Sequence, residues 1–112
     1  MVNVRRRKAD KVDYMSRKEE FCIMKPDVRW STQRFEGSHK HHIFGGCPNR
    51  KHSDEDGLVI FLRPEDHNMG DNGIHNNREF DLYAKRKAQL RWMEFYGKTV
   101  EQFRQRYGKS WL

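Results

Sequence analysis

A chain of 112 residues with 23 Lys+Arg against 16 Asp+Glu is sized for one domain, and its net charge of +7 favours a polyanionic partner. No run approaches the roughly 18 apolar residues of a membrane span, which argues against a transmembrane helix, and a 12% aromatic content argues against disorder throughout. The start, MVNVRRRKADK, lacks the apolar core of a secretory signal, so the chain reads as cytoplasmic with Cys22 and Cys47 reduced.

Residues 1–20 are charge-dense and form a basic arm in which Arg5, Arg6 and Arg7 can contact phosphates. Residues 21–112 form the domain. Pro26 and Gly37 break residues 21–40 into loop and short strand. Residues 41–44 (HHIF) predict a strand, and Gly45 and Gly46 permit an unusual backbone path after it. Residues 47–56 (CPNRKHSDED) predict a loop. Residues 58–62 (LVIFL) are apolar at every position and predict a buried strand. Pro64 with Glu65 and Asp66 opens a short helix, which Gly70 and Gly73 stop.

Residues 79–96 predict the longest helix. Phe80, Ala84, Ala88 and Trp92 recur every four residues, and Tyr83, Phe95 and Tyr96 widen the stripe. Asn76 or Asn77 can cap it and Gly97 can end it. Thr99 and Gln102 match a capping box opening a last helix with an apolar side of Val100, Phe103 and Tyr107, closed by Gly108. Trp111 is expected to pack back on the core.

The chemistry is concentrated in histidines. Neighbouring side chains on a strand face opposite ways, so His41 and His42 are suited to different tasks. His67 falls on the short helix and His75 follows a glycine turn. Imidazoles converging from a strand, a helix and a loop can hold one divalent ion with positions left open, as metal-assisted hydrolysis requires. A histidine outside the ligand set can act as general base near neutral pH. His39 and His52 match nothing and read as surface or hydrogen-bonded residues. Lys85, Arg86, Lys87 and Arg91 read either as a solvated face or as a track for a phosphate backbone. Arg50 and Lys51, between the two strands, are better placed to reach DNA, with Lys40 beside them.

The stretches HHIFGG (41–46), GLVIFLRPEDHNMGDNGIH (57–75) and FDLYAKRKAQLRWMEFYGKTVEQFRQRYGKSWL (80–112) resemble small phage and prophage proteins of the HNH type, in the His-Me finger superfamily. The resemblance implies an α+β fold, a ββα-metal core with a two-helix C-terminal extension, and an endonuclease that hydrolyses DNA phosphodiester bonds in a bacterial cytoplasm. It implies His42 as general base, with His41, His67 and, as third ligand, His75 around one divalent ion (Mg, Mn, Ni or Zn), and no small-molecule cofactor. The family's middle asparagine, which braces the loop and positions the base, falls near Gly57 or Leu58 here, so Asn49 is the candidate substitute. Where many relatives carry two zinc knuckles, this chain has Cys22, Lys25, Arg63 and Asp66. No structural zinc is expected, and an Arg63–Asp66 or Lys25–Asp66 ion pair is the expected replacement. Lys40 stands where relatives often carry an acid, which favours neutral imidazoles beside it. The alternative reading is a non-catalytic nucleic-acid-binding module on the same finger.

Overall fold

A computed structural model describes residues 20–112; the expected arm, with Arg5, Arg6 and Arg7, lies outside the described residues. Two short strands carry the centre: β1, His39–His42, and β2, Val59–Leu62. They pair antiparallel with His39 opposite Leu62, His41 opposite Ile60 and His42 opposite Val59. β2 is buried at all four positions, as its Val-Ile-Phe-Leu composition demands. Its other edge is covered, because Ser31 and Phe61 exchange backbone hydrogen bonds of 3.0 and 2.8 Å.

β1 starts and ends two residues before the apolar pattern predicts. A strand is defined by its partner's backbone, and β2 pairs with the polar HKHH segment. Ile43 and Phe44, expected inside the strand, instead lead from its end into the core, with the Ile43 N–H still donating to Leu58 at 3.1 Å.

The larger departure is α1, an eight-residue helix Asn49–Asp56 where a loop was expected. Its sequence, NRKHSDED, has no apolar stripe, so periodicity carries no signal there. Polar anchors hold it instead. Ser53 is fully buried and its hydroxyl donates to the Phe44 carbonyl (2.9 Å) while accepting from the Phe44 N–H (3.1 Å). The Asn49 amide donates to the Tyr107 carbonyl at 3.0 Å. Gly57 closes the helix at φ +78, where a Cβ would come within 3.0 Å of the Ile23 nitrogen.

The remaining helices are α2 (Pro64–His67), α3 (Arg78–Tyr96) and α4 (Val100–Tyr107). α2 has Pro64 in its first turn beside Glu65 and Asp66. Asn77 caps α3 by accepting from the Phe80 N–H at 3.0 Å, and Gly97 ends it in the left-handed conformation. The buried stripe is Phe80, Ala84, Ala88 and Trp92, as its period predicts. Phe95 departs from it: the residue is 47% exposed, one position before the end of α3. The Thr99–Gln102 capping box is present and Phe103 and Tyr107 are buried.

The tail packs back through Trp111, whose ring centroid lies 4.8 Å from that of Phe44. Gln89, fully buried, holds the tail by accepting from the Trp111 N–H (2.7 Å) and donating to Ser110 (2.8 Å). The described residues form an α+β architecture with a two-stranded antiparallel sheet and four helices. No helix among the described residues is long and apolar enough to cross a membrane.

Candidate metal centre

The strand alternation in β1 divides its four polar residues between two faces. His39 and His41 share the face toward α2, with ring centroids 5.2 and 5.3 Å from that of His67. Lys40 and His42 share the other face, where both meet Asp54 of α1: Lys40 Nζ lies 2.9 Å and His42 Nε2 3.2 Å from Asp54 Oδ1.

His75 reaches the first face through a tight reversal. After α2 the chain turns at Gly70 and Gly73, and the Ile74 and His75 N–H groups donate back to Asp66 (2.7 Å) and His67 (3.0 Å). A Cβ at Gly73 would sit 2.9 Å from the His67 carbonyl oxygen, so a glycine is required for that close approach. Ile74 buries its side chain and pins the loop. His75 is thereby set against His67, Nε2 to Nε2 at 3.0 Å.

The result is a group of three imidazoles, His41, His67 and His75, with one ring nitrogen of each within 4.8 Å of the others. Ligand bonds of about 2.0–2.1 Å in a tetrahedral site place donor atoms about 3.4 Å apart, so small side-chain rotations suffice to close the group on an ion. His41 is 5% exposed, and among the described residues its Nε2 makes no hydrogen bond. A buried nitrogen without a partner is costly unless it has a ligand. His75 is exposed, which leaves the site open on that side. The residues present therefore fit a divalent transition metal.

Electrostatics keep these rings in the state an ion needs. Burial, then the neighbouring rings of His75 and His67, push the His41 pKa down to about 3. Burial, then His75 and His39, push His67 down to about 4. Both are neutral at pH 7 with a lone pair to donate. His42 is also shifted down, first by burial and then by Arg50 and Lys40, against the opposing hydrogen bond to Asp54. The cationic effect expected of Lys40 is thus present at His42 but secondary to burial.

The buried His41 makes the metal-free protein acid-sensitive. Its folded pKa lies below its unfolded value of about 6.5, so the unfolded chain takes up the proton first. Its contribution is complete above that pH and is lost as pH falls toward 3. With a chelator present, stability is expected to drop by about 1 kcal/mol between pH 6.5 and 5.5 from His41 alone. Urea unfolding across that range measures it, and a flat midpoint would contradict the burial of a neutral His41.

The other expected site residues are placed differently. Asn49 is tied to α4 by its bond to Tyr107, and the bracing of the strand-end loop falls to Ser53 instead. A buried serine in a polar octapeptide leaves no signal in sequence. Lys40 is clasped by Glu20 (2.8 Å) and Asp54 (2.9 Å), so its charge is offset within the protein. Arg50 and Lys51 are exposed. They line, with Lys40 and His42, a cleft of about 590 Å³. Of the two expected knuckle replacements, Arg63 pairs with Asp66 at 2.7 Å, whereas Lys25 is near Glu94 at 3.8 Å. The Cys22 thiol donates to the Val59 carbonyl at 3.0 Å.

Missed in sequence were Asp54, the partner of His42, and His39, whose Nδ1 lies 3.0 Å from His67 Nδ1. His39 does carry a legible signal, since it sits two residues before His41 and so shares its face. No family model, curated protein or solved structure matches the chain.

Proposed function

We propose that the protein is a metal-dependent endonuclease that hydrolyses DNA phosphodiester bonds on a ββα-metal finger of the HNH type. The observation that carries the reading is the convergence of His41, His67 and His75, with a buried unpartnered nitrogen, one residue from an imidazole held by a carboxylate. The antiparallel β1 and β2, joined through α1 and followed by α2, around these rings, and the net charge of +7, add to it.

A divalent cation held by the three histidines would polarise the scissile phosphate and stabilise the leaving 3′ oxygen. His42 supplies the base. Asp54, ionised because Lys40 donates to it and lowers its pKa, accepts from His42 Nε2. That bond sets the hydrogen on Nε2 and leaves Nδ1 with a lone pair to take a proton from water. The depressed pKa of His42 keeps that lone pair free at neutral pH. Arg50 and Lys51, on the cleft beside His42, hold flanking phosphates.

Supercoiled plasmid incubated with Mg²⁺, Mn²⁺, Ni²⁺ or Zn²⁺ tests the reading. Nicking is expected with at least one ion, none with chelator, and none in His67→Ala. DNA binding that falls steeply with salt but never leads to nicking would instead identify a non-catalytic module. Nicking that persists in His67→Ala would remove the histidine group from the chemistry.

A further inference from the structure

His39 is not one of the three converging rings, yet it touches one of them. Its Nδ1 lies 3.0 Å from His67 Nδ1, with the two rings edge to face. On its other side His67 presents Nε2 to His75 Nε2, also at 3.0 Å. His67 is therefore gripped at both nitrogens by imidazoles.

Proton placement decides what this arrangement does. A neutral imidazole carries one N–H, and a metal-ligating nitrogen must carry none. If the His67 hydrogen sat on Nε2, that nitrogen could not bind an ion. A hydrogen on Nδ1 frees Nε2 and needs an acceptor. The His39 Nδ1 lone pair is that acceptor when His39 keeps its own hydrogen on Nε2. Backbone alternation makes the placement rigid, because His39 and His41 project from the same face of β1, opposite Leu62 and Ile60 of the buried strand.

We propose that His39 is a positioning residue for the metal centre: it accepts a hydrogen bond from His67 Nδ1–H, fixing the tautomer and ring orientation that present His67 Nε2 to a divalent cation. The proposal rests on the histidine group being a metal site. Partners that orient a ligating histidine typically change metal affinity by 10–100-fold.

The test is Co²⁺ titration of the folded full chain at pH 7.5, followed by its visible d–d bands, with Zn²⁺ competition for affinity. Circular dichroism and melting of the metal-free proteins confirm folding. His39→Ala is expected to weaken binding roughly 10–100-fold with band position and intensity unchanged, since the ligand set is the same. His39→Asn, whose amide oxygen can stand near the Nδ1 position, is expected to recover most of that loss. Three results would overturn the proposal: wild-type affinity in His39→Ala, equal losses in folded His39→Ala and His39→Asn, or altered bands in His39→Ala, which would make His39 a ligand. If the wild-type chain binds no Co²⁺ or Zn²⁺, the metal reading itself fails and the role of His39 falls with it. Intact wild-type binding with unaffected His39 variants removes only His39.

Discussion

Asp56→Ala is expected to cost about 3–5 kcal/mol of stability, because it leaves two buried donors without a partner and leaves Arg106 only its bond to Glu55. The Asp56 carboxylate, at the end of α1, accepts from Trp92 Nε1 at 2.8 Å, from the Tyr107 hydroxyl at 2.7 Å and from two nitrogens of Arg106 at 2.6 and 2.9 Å. Its backbone carbonyl accepts from the Tyr96 hydroxyl at 2.9 Å. Trp92 and Tyr107 are each only 3% exposed, so water cannot replace the lost oxygen atoms. Burial and the bond to Asp56 both raise the Tyr107 pKa, and the same carboxylate raises that of Arg106. Against a typical domain stability of about 5–15 kcal/mol, the loss is a large fraction of the total. Urea denaturation of wild type, Asp56→Ala and Asp56→Asn measures it. Asn should lose less than Ala, since it keeps an acceptor of the same shape. A change below about 1 kcal/mol in Asp56→Ala would mean that packing and the remaining bonds of Asn49, Glu55 and the Asp56 carbonyl suffice to join α1 to α3 and α4. The effect reaches the candidate site, because α1 also carries Ser53, which braces the end of β1, and Asp54, which holds His42.

His42→Ala is expected to lower the nicking rate roughly 10²–10⁴-fold, the usual contribution of a general base, while leaving metal affinity close to wild type. The two readouts separate because β1 points His42 away from the face that bears His41 and His39. His41→Ala should show the opposite order of effects, with metal binding lost first and nicking lost in consequence. Asp54→Ala should fall between wild type and His42→Ala. It removes the hydrogen-bond acceptor that orients the His42 ring, but not the ring. Single-turnover plasmid nicking at saturating metal, paired with direct metal titration, distinguishes these cases. Undiminished nicking by His42→Ala at saturating metal would sink the base assignment.

Much of the fold was legible because it is written in periodicity and local capping. The stripe of Phe80, Ala84, Ala88 and Trp92, the Asn77 cap, the Thr99–Gln102 box and the apolar run of β2 each act over a few residues, so their chemistry survives in one dimension. The grouping of His41, His67 and His75 was also within reach, from a strand, a short helix and a glycine-dependent reversal.

By itself, then, the sequence determined the elements whose stabilising partners lie within a turn or two, and the residue types available for metal chemistry. Tertiary structure alone decided α1, because its anchors on Phe44, Tyr107 and Trp92 lie from 9 to 58 positions away along the chain. It also decided which polar groups meet. Asp54 was drawn to Lys40 and His42, Asn49 to Tyr107, and His39 to His67. Hydrogen bonds and ion pairs act over about 3 Å, and nothing in the spacing of two polar residues along a chain records that they will end at that distance.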